Sequence, residues 1–101
     1  MINNIIKNKV IFISGKITGD KDYENKFKAA EKILKLFGFI VLNPISIPKH
    51  LAYEKQMNIC FNYIDNADYV YMLKDHRQSK GSTRELHYAL SKDKIILFEK
   101  D

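Results

Sequence analysis

The stretch SKGSTRELHYAL, Ser79 to Leu90, sets a glutamate just after a glycine-containing polar loop, where a helical run begins. Two chemistries fit that placement. Ser82-x-x-Glu85 has the spacing of a capping box: the serine oxygen accepts a backbone N–H three residues on, and the glutamate reaches back. A carboxylate in a first turn also suits the helix dipole. The same positive helix end would keep Glu85 ionised even when partly desolvated. An ionised carboxylate at the mouth of a crevice can be a nucleophile or an electrostatic stabiliser. Spacing alone leaves both roles open. Asp68, between the second helix and the third strand, is a second acid of interest, although a solvated turn aspartate explains it as well. Asp20, Asp65 and Asp75 have similar claims. In SGKITG, glycines allow close backbone approach to a ligand and Lys16 can meet a phosphate. A tight strand-to-helix turn accounts for that segment equally well. His50, His76 and His87 show no metal-ligand spacing, and one cysteine is too few for a thiolate zinc site. With no GxGxxG and no P-loop, neither a metal nor a cofactor is expected.

These residues need elements to hold them. KVIFIS, Lys9 to Ser14, is a short apolar run rich in β-branched residues and reads as a buried strand ended by Gly15. Tyr23, Phe27, Ala30, Leu34 and Phe37 recur at helical spacing, opened by Asp20 or Asp22 and closed by Gly38. FIVLNP predicts a second strand. Tyr53, Met57, Cys60, Phe61 and Ile64 form a second helical stripe. DYVYML, Asp68 to Leu73, predicts a third strand. Ser82 to about Lys92 predicts a third helix with Leu86, Ala89 and Leu90 inward, and KIILFE a fourth strand. Alternating strands and helices imply right-handed crossovers and a parallel sheet. The expected fold is therefore α/β: a three-layer, flavodoxin- or Rossmann-like, four-stranded parallel sheet flanked by helices. Such sheets bind ligands beyond the carboxyl ends of their strands. SGKITG, NPISIPKH and LKDHRQSKGS all fall on that edge. ISIPKH, Ile45 to His50, is expected there as a mobile cover.

At 101 residues the chain is read as one domain. A formal charge of +5 suits an anionic partner and equally a lysine-rich surface. No apolar run approaches the length of a membrane span, and no cleavage pattern marks a signal peptide. The lone Cys60 cannot form an internal disulfide, which fits a reducing cytoplasm. The second helix shows more large apolar surface than one sheet face needs, so a homo-oligomer, a dimer first, is expected.

Taken in order, FISGKITG, AEKILKLFGFIVLNP, NADYVYML and SKGSTRELHYAL resemble the nucleoside 2-deoxyribosyltransferase superfamily, from about Val10 to Phe98. The chain looks most like its short phage and bacterial branch, domain of unknown function family 4406. A phage-encoded chain would work in its host's cytoplasm. The resemblance implies that Glu85 matches the glutamate that attacks the anomeric carbon. It implies that Asp68 assists the departing base. It puts Ser14, Gly15, Lys16, Ile17 and Gly19 of the first loop, and Ser79, Gly81 and Ser82 of the third, among substrate-binding positions. The transferases carry an aspartate six residues before the nucleophile; Ser79 stands there, as in the related nucleotide N-hydrolases. Those hydrolases have an arginine where this chain has Thr18, and Lys16 replaces its charge without its bidentate geometry. Tyr53 is expected to stack on the base.

The expected ligand is thus a nucleoside or nucleotide, cleaved at its base–sugar bond or transferred. The alternative is a protein of the same fold that sequesters a nucleotide without turnover. Lys74, His76, Arg77, Lys80 and Arg84, with Tyr88 nearby, form a local basic cluster, but a nucleic-acid partner is the weakest of the three.

Overall fold

The computed structural model describes residues 6–100. Strands and helices alternate as β1 (Val10–Ser14), α1 (Tyr23–Leu36), β2 (Ile40–Leu42), α2 (Tyr53–Asp65), β3 (Tyr69–Met72), α3 (Lys80–Ser91) and β4 (Ile95–Phe98). The strands form one parallel sheet in the order β2-β1-β3-β4. This is the three-layer α/β architecture expected. Two short 3-10 turns, Pro44–Ser46 and His76–Gln78, were not foreseen; each ends a strand-to-helix loop's first reversal.

The strand pleat decides which side chains meet which helix. Ile11 and Ile13 of β1 face α1, where they pack with Phe27, Ala30, Leu34, Phe39 and Leu73. Phe12 faces the other way, into a core with Cys60, Ile64, Ala67, Val70, Met72 and Ala89. Ser14 lies two residues on from Phe12 and so points toward α2 and α3. The chain leaves β1 toward β2 on one side, and β3 lies on the other. The join of β1 and β3 is therefore the topological switch point, where such sheets open a crevice.

Helix faces follow the predicted stripes with three exceptions. Tyr53, at the start of α2, is exposed. Phe37 is past the end of α1 and exposed, with Gly38 beside it at φ +100°. In α3 the inward residues are Ser82, Glu85 and Ala89, while Leu90 is 54% exposed. Ala89 and the partly buried Leu86 face the core as expected, but Ser82 and Glu85 share that face and Leu90 does not. The α2 stripe that suggested a dimer surface is largely spent inside the chain. Met57, Cys60 and Ile64 are buried, and Phe61 stacks on Tyr88 at 4.4 Å. No described helix is long and apolar enough to cross a membrane.

Candidate active site

The site is built where β1 ends against α2 and α3. Gly15 lets the chain turn there: a Cβ on it would come within 2.7 Å of Leu73 Cδ1, so any larger residue would push the β1 loop off the end of β3. The loop is tied down by Asp75, whose Oδ1 accepts from the Lys16 backbone N–H at 3.1 Å. Lys26 bridges Asp75 and Asp20 from the outside.

The start of α3 differs from the expected capping box. Ser79 is the N-cap: its side chain accepts from the Ser82 N–H at 3.0 Å. SKGSTRE carries two overlapping cap signals, Ser79-x-x-Ser82 and Ser82-x-x-Glu85, and the first wins. The helix thereby begins at Lys80, and Glu85 moves from the first turn to the second. There it cannot reach back to a cap and instead points into the protein.

Glu85 is 7% exposed. Ser14 Oγ donates to Glu85 Oε1 at 2.6 Å, and Ser82 Oγ lies 2.6 Å from Ser14 Oγ. Burial pushes the Glu85 carboxyl up to about 7, against the pull of Ser14, the Cys60 thiol and the Arg84 charge. The helix end does not keep this carboxylate at an ordinary acidity, because a buried second-turn position loses more solvation than the dipole returns. Burial also pushes the Cys60 thiol up, helped by Glu85, so Cys60 stays protonated and unreactive.

Above Glu85 opens a cavity of about 380 Å³, within the range of small-molecule sites. Met57, Cys60 and Glu85 line its depth. Ile17 and Thr18 come from the β1 loop, Pro44 from the β2 loop, and Gln78 to Gly81 from the start of α3. Tyr53 and Gln56 of α2 stand on the remaining side. Gly81 permits that approach: a Cβ there would meet Met57 Sδ and Tyr53 Oη at 3.4 Å. Arg84 braces the rim. It pairs with Glu54 through two contacts of 3.0 and 3.2 Å and lies over the Tyr53 and Phe61 rings.

Of the residues picked from sequence, Gly15, Ile17, Ser79, Gly81, Ser82, Tyr53 and Glu85 line this cavity. Ser14 lies beneath it, fully buried. Lys16 and Gly19 do not line it; Lys80 is the cation that does. Gly19 takes a left-handed turn at φ +81°. Asp68 is the candidate placed farthest from the expected edge, and it does not line the cavity. It stands before the four residues of β3, at the opposite edge of the sheet, where its Oδ2 accepts from the Val10 N–H at 2.9 Å. At about 3.3 Å per strand residue it is roughly 13 Å from the strand ends that hold the cavity. Ile45 to His50 also lie outside the lining, and the 3-10 turn at Pro44–Ser46 is held by Asn43 and Ser46. The basic cluster is dispersed, with His76 buried against Phe98 and Arg84 paired with Glu54. Gln56, Met57, Cys60 and Gln78 were not picked. For Met57 and Cys60 the signal existed, since a helix facing a crevice at the switch point presents its inward stripe to it. Among the described residues no three His, Cys, Asp or Glu side chains converge as a metal site would need.

No curated protein matches the chain. Among solved structures similar to it is the 2-desoxiribosyltransferase from Leishmania mexicana, with a TM-score of 0.72 and 20% identity over 89% of this chain. The matched chain is longer, and 63% of it is covered. That likeness is one of fold: the same parallel sheet with helices on both faces. Residues 9–98 match the family described as Domain of unknown function (DUF4406), nearly the whole chain, and the protein belongs to that family.

Proposed function

We propose that this protein cleaves the N-glycosidic bond of a nucleoside or nucleotide, with Glu85 as the nucleophile. The observation that carries this is a lone carboxylate deep in a cavity of nucleoside size, at the switch point of the sheet. The similar fold of a 2-desoxiribosyltransferase supports the choice of bond. In the first step a Glu85 oxygen bonds to the anomeric carbon as the carbon–nitrogen bond breaks. The bonding pair leaves with the base, which takes a proton from solvent. The oxocarbenium character of this passage is stabilised by the same carboxylate. Water then attacks the glycosyl ester, releasing the sugar and restoring Glu85; a second base in place of water gives transfer instead. Tyr53, 43% exposed at the rim, offers a ring for the base. The first backbone N–H groups of α3 and the Lys80 side chain suit a 5′-phosphate.

A second reading, sequestration without turnover, is favoured by one feature. Among the described residues Glu85 is the one carboxylate lining the cavity, with no second acid beside it to protonate a leaving base. Incubation with a panel of nucleosides and nucleotides, read by chromatography, separates the two. Free base that disappears with Glu85→Gln supports the glycosidase. Tight binding with every substrate intact replaces it with sequestration.

A further inference from the structure

The sequence places Ser14 and Ser82 among the ligand contacts, but both hydroxyls are buried, at 0% and 1% exposure. A hydroxyl carries one proton. Ser14 commits its proton to Glu85 Oε1, at 2.6 Å. The 2.6 Å contact between Ser14 and Ser82 then has only one possible polarity: Ser82 donates and Ser14 accepts. The two protons run inward in series from the first turn of α3 to the carboxylate. Neither remains for a sugar hydroxyl or a phosphate. The pleat puts Ser14 on the α3 side of β1, and the cap at Ser79 rotates Ser82 and Glu85, three residues apart, onto that same side.

We infer that Ser14 and Ser82 are positioning residues, a two-hydroxyl relay that fixes Glu85 Oε1 against β1 and so orients the carboxylate for attack. The inference deepens the proposed function and rests on it for the word attack. The relay itself is a property of the free protein. Each hydroxyl polarises the next, so the pair should act as one unit.

Hydrogen bonds to the ionised form lower a carboxyl's pKa. The other groups that bear on Glu85 are the Cys60 thiol from α2 and Arg84 on its own helix. Cys60 is kept protonated by burial and Arg84 is paired with Glu54, so neither titrates near neutrality. The test is a carbon-13 carboxyl NMR titration of Glu85 in the free chain, which needs no turnover. Ser14→Ala should raise the midpoint by about one unit, the scale of a charge-assisted hydrogen bond. Ser82→Ala should raise it less, in the same direction. Ser82→Ala added to Ser14→Ala should change nothing further, because the chain is already broken below it. If the wild type releases base, kcat at neutral pH falls in each variant while KM holds. An unmoved midpoint in Ser14→Ala, or two shifts that add, overturns the relay. Should Ser14→Ala fail to fold, an unmoved midpoint in Ser82→Ala overturns it alone. A wild type that releases no base sinks the nucleophile and leaves the midpoints to decide the relay.

Discussion

Two carboxylates are tied to β1, one at each end of the strand. At the amino end, Asp68 is exposed and accepts from the Val10 N–H, while its own N–H donates back to Val10 O at 2.8 Å. At the carboxyl end, Glu85 is buried and accepts from a side-chain hydroxyl of the same strand. Asp68 supplies an acceptor for a ladder group that lacks a strand partner. Glu85 accepts the proton of a buried hydroxyl and is itself buried, which pushes its carboxyl up. A carboxyl perturbed by burial at the wall of a cavity is a functional-site candidate. Equal residue chemistry on one strand thus divides into a stitch and a site, and the division follows from which edge of a parallel sheet opens a crevice.

The sharpest way to break that contrast is to neutralise each acid in turn. Glu85→Gln keeps an acceptor for Ser14 but cannot form a glycosyl ester. Base release should fall by about three orders of magnitude or more, with ligand binding retained. Asp68→Asn should leave base release within about threefold of wild type, the scatter of a surface change with no contact to the reacting atoms. Both are read by chromatography on one substrate. Equal losses from the two variants would end the distinction between the edges.

The second test uses pH. The folded Glu85 pKa lies near 7, above its ordinary value of 4.5. The folded state therefore binds this proton more tightly than the unfolded chain. Its contribution to stability is fully present below about pH 4.5 and is lost as pH rises through 7. The loss is on the order of a few kcal/mol. Urea unfolding between pH 5 and 8 should show falling stability in the wild type, and a nearly flat profile in Glu85→Gln. Asp20, Glu24 and Glu54 have the opposite sign, since lysine or arginine partners lower their pKa values; their effect appears only in acid and is screened at the surface. On the proposed glycosidase reading, base release should rise with pH through about 7, because Glu85 acts as a nucleophile only when ionised.

Most of the fold was legible because its signals are local. Strand runs, helical stripes and their alternation fixed a parallel three-layer sheet before any contact was known. The site was legible in part, and the misses have physical causes. The catalytic role for Asp68 came from the resemblance alone; its place before β3, legible in the sequence, already put it at the amino end of the sheet. The cap was misassigned by three residues because serines at 79 and 82 give the same signal, and the choice between them turns the whole helix face. Leu90 was expected inside because it is apolar and four residues on from Leu86, and spacing alone does not say how far the buried stripe extends. Ser14 was taken for a ligand contact because its neighbour in three dimensions, Ser82, is 68 residues away. Cys60 and Met57 looked like core, and they are core that also floors a cavity.

A third test sharpens the carboxyl-end picture at its rim. Tyr53 stands beside Gly81 with Arg84 over its ring. Tyr53→Ala should raise KM about tenfold with little change in kcat, since stacking on a base contributes on the order of 1–3 kcal/mol and is made in ground and transition states alike. Tyr53→Phe should restore most of it. A fall in kcat alone would mean that Tyr53 acts on the reaction and not on the base.

The smallest effect belongs to the amino end, and it is the one that shows what Asp68 does. Val10 is the first residue of β1, and its N–H has the Asp68 carboxylate as partner. The Asp68 carbonyl in turn accepts from Ile95 N–H, the first residue of β4, at 3.3 Å. One residue therefore joins the starts of β1, β3 and β4. Asp68→Ala removes only the side-chain acceptor; both backbone bonds survive, and water can reach the freed N–H at this exposed edge. The cost in urea unfolding should be about 1 kcal/mol, the net value of one hydrogen bond. Asp68→Asn keeps an oxygen in the same place and should cost only a few tenths. Base release should follow neither variant. An alanine that costs several kcal/mol would mean the start of β1 is held by this bond alone, and one that abolishes base release would return Asp68 to the chemistry.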